Sequence, residues 1–218
     1  MRVRVEHLDN AFGIGTRRPR LSWQLPSGAA RQDSYEIEVD GTSYGVTDSP
    51  DNVLVPWPAS ALAGRQRSRV RVRVVADGRD LGWSDPTEVE AGLLEAADWA
   101  AVWVAPDETE VPPPGRRPAY RLRGEVVVDR PVVRARLHVT AHGLHESSVD
   151  GTRVGDEELA PGYTEYAHHT DVRTHDVTAL MAPGTHVIEA LLADGWFRGK
   201  VGAPRASDQW GERTAYLA

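Results

Sequence analysis

The run Val70-Arg71-Val72-Arg73-Val74 sets an apolar side chain and a cation at alternate positions and is closed by Asp77-Gly78. A period of two marks a strand with one face in a core and the other in water. Asp-Gly supplies the two positive φ angles of a tight hairpin turn. The same grammar holds on either side. Leu21-Ser22-Trp23-Gln24-Leu25 alternates up to Pro26-Ser27-Gly28, and Tyr35-Glu36-Ile37-Glu38-Val39 alternates up to Asp40-Gly41. Thr87-Glu88-Val89-Glu90 follows Gly82-Trp83-Ser84-Asp85-Pro86. Nowhere does an apolar 3.6-residue period run for three clean turns. Strands at this spacing over about 95 residues predict a small antiparallel β-sandwich.

The second half reads as β again. Tyr120–Arg123 and Glu125–Val128 lead to Asp129-Arg130-Pro131, and residues 133–141 alternate throughout. Glu146-Ser147-Ser148-Val149 runs into Asp150-Gly151, a strong hairpin signal, with Arg153-Val154-Gly155 beyond it. Thr174–Thr178 precedes a turn at Pro183-Gly184, and His186–Ala193 is apolar enough for a central strand. A loop is expected at Asp194-Gly195-Trp196-Phe197-Arg198-Gly199. Between the halves, Pro106 to Pro118 holds five prolines, including Pro112-Pro113-Pro114. That composition predicts an extended connector. The expected division is a sandwich over 1–96, a Trp/Pro-rich connector over 97–118 and a second sandwich over 119–218.

Composition narrows the chemistry. The 218 residues carry a net charge of −7, and the basic residues include a single lysine, Lys200. An acidic chain without a basic patch is a poor partner for nucleic acid. No apolar run approaches the roughly 18–20 residues of a membrane helix, and Met1–His7 carries no signal-peptide pattern. A cytoplasmic location is therefore expected, with no membrane partner. The absence of Cys excludes disulfides, thiolate metal sites and a Cys nucleophile. Seven Trp stand against two Phe, which suits sandwich cores and sugar-stacking surfaces alike.

Trp23 in an early strand, Tyr35 in the next and Trp83-Ser84 before the last together resemble a fibronectin type III or immunoglobulin-like module. A more specific likeness comes from an ordered set of motifs. These are Thr140-Ala141-His142-Gly143-Leu144-His145-Glu146, Val149-Asp150-Gly151, Leu159-Ala160-Pro161-Gly162-Tyr163-Thr164-Glu165-Tyr166, Asp176-Val177-Thr178 and Asp194-Gly195-Trp196-Phe197-Arg198-Gly199. Upstream, Pro19-Arg20-Leu21-Ser22-Trp23, Ala91-Gly92-Leu93-Leu94 and Asp98-Trp99 with Trp103 agree. The set resembles the N-terminal region of bacterial alpha-L-rhamnosidases, glycoside hydrolase family 78. His142, His145, Asp150 and Phe197 depart from the pattern usual there. The resemblance implies an all-β chain: an immunoglobulin-like sandwich followed by a jelly-roll-like, galactose-binding-like sandwich cut short within a strand at 211–218. It also implies a helical (α/α)6 barrel, missing from these residues, that hydrolyses terminal alpha-L-rhamnose with inversion and is the partner in cis.

On that reading no residue here is catalytic. Asp156, Glu157 and Glu158 are consecutive carboxylates beside a turn, which describes a solvated loop. His138, His142 and His145 do not share the ligand spacing of a metal site, since strand residues three apart face opposite ways. No phosphate loop, nucleophile elbow or cofactor fingerprint is present, so neither metal nor cofactor is expected. Carbohydrate binding, or contact with a neighbouring domain, is assigned to Tyr163, Tyr166, Asp194, Trp196 and Arg198, with rhamnose-containing glycans as the ligands. The aromatic rings would form a platform and Asp194 and Arg198 would offer hydrogen bonds. The alternatives are a dedicated carbohydrate-binding module and a structural tandem of β-sandwiches.

Overall fold

The computed structural model describes residues 1–202 and 206–218. It is almost entirely β and divides into two units, Met1–Trp99 and Ala100–Ala218.

The first unit contains β1 (Val3–Val5), β2 (Ala11–Ile14), β3 (Leu21–Trp23), β4 (Gln32–Val39), β5 (Thr42–Asp48), β6 (Arg67–Ala76), β7 (Arg79–Trp83) and β8 (Thr87–Ala91). The main sheet runs β2-β8-β6-β4-β5, with β7 also on β6. A smaller layer pairs β1 with β3, and Leu21 bridges to Val55. Val70, Val72 and Val74 are fully buried and share a core with Val5, Leu21, Trp23, Trp57 and Leu62. The arginines between them face outward and pair with carboxylates on neighbouring strands. Arg71 holds Glu38 through two bonds of 2.8 and 2.7 Å and lies over the Trp83 ring, and Arg73 holds Asp80.

Both hairpins that flank the central strands turn as their sequences require. Asp40 and Gly41 have φ of 51° and 81°, and Asp77 and Gly78 have 50° and 70°. Consecutive positive φ angles give the turn whose twist matches that of the strands. Strand β5 left no periodic signal because every one of its residues is exposed on this sheet edge.

The second unit contains β9 (Tyr120–Val128), β10 (Arg136–His142), β11 (Leu144–Val149), β12 (Thr152–Val154), β13 (Arg173–Asp176), β14 (Gly184–Ala193), the one-turn helix α1 (Gly195–Arg198) and β15 (Ala215–Leu217). Two antiparallel sheets, β13-β10-β15 and β12-β11-β14-β9, enclose Leu137, Val139, Val149, Leu192 and Tyr216. The two short runs expected at 120–128 form one strand, because Gly124 pairs with Ile188 without breaking the ladder. The run expected from 133 starts its strand only at Arg136. A loop was expected at 194–199, and the chain makes α1 there instead.

The Pro-rich stretch contains no named strand, yet the second unit holds it by specific bonds. Val104 and Tyr216 exchange backbone bonds of 2.9 and 2.8 Å. Glu108 and Arg117 are anchored by side chains, through contacts that centre on α1.

Candidate functional site

The sequence places Gly195 where α1 begins, with φ of 53°. A Cβ there would stand 2.6 Å from Leu144 Cγ, so the helix lies against the start of β11 as only glycine allows. This close packing turns two consecutive side chains inward, Phe197 and Arg198.

Arg198 has 0% exposure. Its Nε donates to Asp194 at 2.7 Å, and both terminal nitrogens donate to Glu108 at 2.8–3.1 Å. Nη1 also donates to the Glu212 carbonyl. Beside it, Arg117 donates to the Asp208 carboxylate at 2.6 and 3.1 Å and to the carbonyls of Pro112 and Arg198. The Tyr120 hydroxyl donates to Glu108. Bonds from Arg198 hold the Glu108 carboxyl below the usual range, and the same carboxylate raises the Tyr120 hydroxyl. Two guanidinium groups and three carboxylates are thus paired beneath α1, with one negative charge in excess. Burying such groups is tolerable only when each is paired and bonded.

A second cluster surrounds Phe197. His142 is stacked between Trp103 and Phe197, with centroids 4.2 and 4.4 Å away. Burial lowers the pKa of His142. Tyr166 packs edge-on to Phe197 and to Trp210. Tyr163 makes edge contacts with Tyr166, Trp196 and Trp210 at 5.8–6.0 Å. Seven rings form one connected chain from Trp103 to Trp196.

The structure therefore separates the five residues singled out by sequence. Tyr163 is 56% exposed and Trp196 is half-buried, so both reach solvent. Tyr166 is buried and donates its hydroxyl to the Gly162 carbonyl at 3.0 Å. Asp194 and Arg198 bind each other, and Arg198 is out of reach of any surface ligand. Trp210 and Glu108 were not singled out by sequence. Trp210 lies in an irregular segment, and Glu108 is one of three carboxylates in Asp107-Glu108-Thr109-Glu110, so neither carries a periodic signal.

The other histidines are dispersed. His142 ends β10 and His145 lies on β11, with Gly143 between them. A Cβ on Gly143 would strike the Ala193 carbonyl. His145 packs in the core against Tyr216, and its Nδ1 is bonded to the Ser147 hydroxyl. Burial drives its pKa down to about 4, so it is neutral at pH 7.

Fold and site together define an immunoglobulin-like domain followed by a second β-sandwich stapled to an irregular segment by buried ions and aromatic rings. Residues 1–95 match the Rha78A-like N-terminal immunoglobulin domain, and residues 130–218 match the alpha-L-rhamnosidase N-terminal domain. Both matches are to domains found at the N-terminus of alpha-L-rhamnosidases. An alpha-L-rhamnosidase of Alteromonas sp. (strain LOR) is 30% identical over 220 residues, covering 91% of this chain and 24% of its own length. One from Streptomyces avermitilis is 41% identical over 138 residues, or 63% of this chain and 13% of that protein. The crystal structure of the Aspergillus terreus enzyme superposes with a TM-score of 0.89 at 36% identity, over 99% of this chain and 26% of that one. The chain thus spans about a quarter of the length of the first and third of these relatives.

Proposed function

We propose that this chain is the non-catalytic N-terminal region of an alpha-L-rhamnosidase, acting with a catalytic region in cis that releases terminal alpha-L-rhamnose with inversion. The carrying observation is the 36% identity to the Aspergillus terreus enzyme across 99% of the chain, with the same fold. The chemistry of the buried carboxylates agrees. An inverting pair needs one acid kept protonated and a second carboxylate across a gap of roughly 6.5–9.5 Å that admits water. Glu108 and Asp194 instead share one arginine, and Glu108 is held ionised. Its proton is not available for a leaving group. The role left to the region is to position the catalytic region and to shape its approach to rhamnose-containing glycans.

The test is a pair of assays on an aryl alpha-L-rhamnoside. The isolated 218 residues should release no aglycone. A chimera in which they replace the corresponding region of the Aspergillus terreus enzyme should fold and turn over. Turnover by the isolated chain would refute the non-catalytic assignment, and an inactive, well-folded chimera would refute the family role.

A further inference from the structure

We infer that Tyr163, Trp196 and Trp210 form a binding platform for a neutral sugar ring, and that the ring is an L-rhamnosyl residue. The choice of sugar rests on the rhamnosidase reading; the platform rests on the residues.

Several buried aromatic tips are bonded within the protein: Trp23 Nε1 donates to Gln32 at 2.7 Å, and Trp57 Nε1 donates to the Ser60 carbonyl at 3.1 Å. Tyr166 donates to Gly162, and Tyr216 bonds Ser147 at 2.8 Å. The hydroxyl of Tyr163 and the indole N–H groups of Trp196 and Trp210 bond no described residue. These three donors stand together, because Tyr163 touches both indoles.

Their geometry suits a flat, partly apolar ligand. Trp196 and Trp210 stand at 81° and 77° to the Tyr163 ring, so an exposed phenol meets two indoles at near right angles. Tyr166 holds Tyr163 from the protein side at 83°, and is itself fixed by Gly162 and Phe197. The platform is thus held before a ligand arrives. An aromatic face attracts the C–H edge of a pyranose, and its polar rim meets the hydroxyls. A 6-deoxyhexose adds an apolar methyl group to that edge. Asp194 and Asp208, close in sequence to Trp196 and Trp210, are bound by Arg198 and Arg117, so neither carboxylate is left free for a ligand.

The probe is methyl alpha-L-rhamnoside, titrated into the 218-residue chain while the indole N–H resonances are followed. Saturable shifts are expected at Trp196 and Trp210, with Trp23 and Trp57 still. Tyr163→Ala should weaken binding by up to about tenfold, the size of one lost aromatic contact, with the variant still folding cooperatively and its Trp23 and Trp57 indole resonances in place. Absence of a saturable shift overturns the platform, as does affinity unchanged in Tyr163→Ala or self-association that shields Tyr163. An equal response to methyl alpha-D-glucoside overturns the choice of rhamnose. An active chimera beside an unresponsive chain overturns the platform alone. A saturable shift beside an inactive chimera upholds the platform and removes the rhamnosidase reading.

Discussion

The two units handle charge in opposite ways. In the first, Arg67, Arg69, Arg71 and Arg73 stand on the outer face of β6 and pair with Glu38, Glu88 and Asp80 in water. The core beneath is mostly aliphatic, Trp23 donates within it to Gln32, and the buried carboxylate of Glu90 pairs with the surface arginine Arg67 at 3.4 Å. In the second, Arg198 and Glu108 lie inside, and the surrounding packing is largely aromatic. The difference follows from what each unit must hold. A sheet satisfies its own backbone and leaves charge to the surface. Irregular segments such as 104–117 and 206–214 have few ladder bonds, so side-chain ions must fix them.

That contrast can be broken by substitution. The largest effect is expected for Arg198→Ala, which strands Glu108 in the interior. It should cost the second unit about 3–5 kcal/mol, read by urea denaturation, with the first unit unchanged. Equal loss in both units, or no loss, would refute the role of the Arg198–Glu108 pair in holding the irregular segments.

Acid provides the next test. Folded His145 takes up a proton only near pH 4, because burial disfavours its charged form, whereas the unfolded chain takes one near pH 6.5. Between those values the unfolded state binds more protons, so stability should fall as pH falls from about 6.5 to about 4. The total is about 3 kcal/mol, with no further change from this group below that range. A His145→Gln variant should lose this slope, and a slope that persists would assign it to other groups.

In the first unit, Gln32→Leu leaves the Trp23 indole N–H buried without a partner, while the Ser49 and Asp51 carbonyls that Gln32 also serves are partly open to water. A loss of about 1–3 kcal/mol is expected, measured as a shift in the thermal midpoint. Arg71→Ala should have the smallest effect. Its ion pair is only partly buried, so added salt should narrow whatever difference remains.

Much of the fold was legible because its strands expose one face and bury the other. The alternation at 70–74 and 35–39 and the Asp-Gly turns lie within β6, β4 and their hairpins. Strand β5 was silent because both its faces meet solvent. The site was legible only as residue types. The sequence offered Tyr163, Tyr166, Asp194, Trp196 and Arg198 as equals. Folding buried Arg198 and Tyr166 and left Tyr163 and Trp196 at the surface.

Local pattern by itself determined that the chain is β, where its hairpins turn and which enzyme family its motifs resemble, since periodicity and turn chemistry act over a few residues. Only the tertiary structure decided that Glu108 would meet Arg198 ninety positions away, and that Trp210 would join Tyr163. Such pairings lie between segments without periodic order. Their partners are chosen by desolvation and packing, which exist only once the chain has closed.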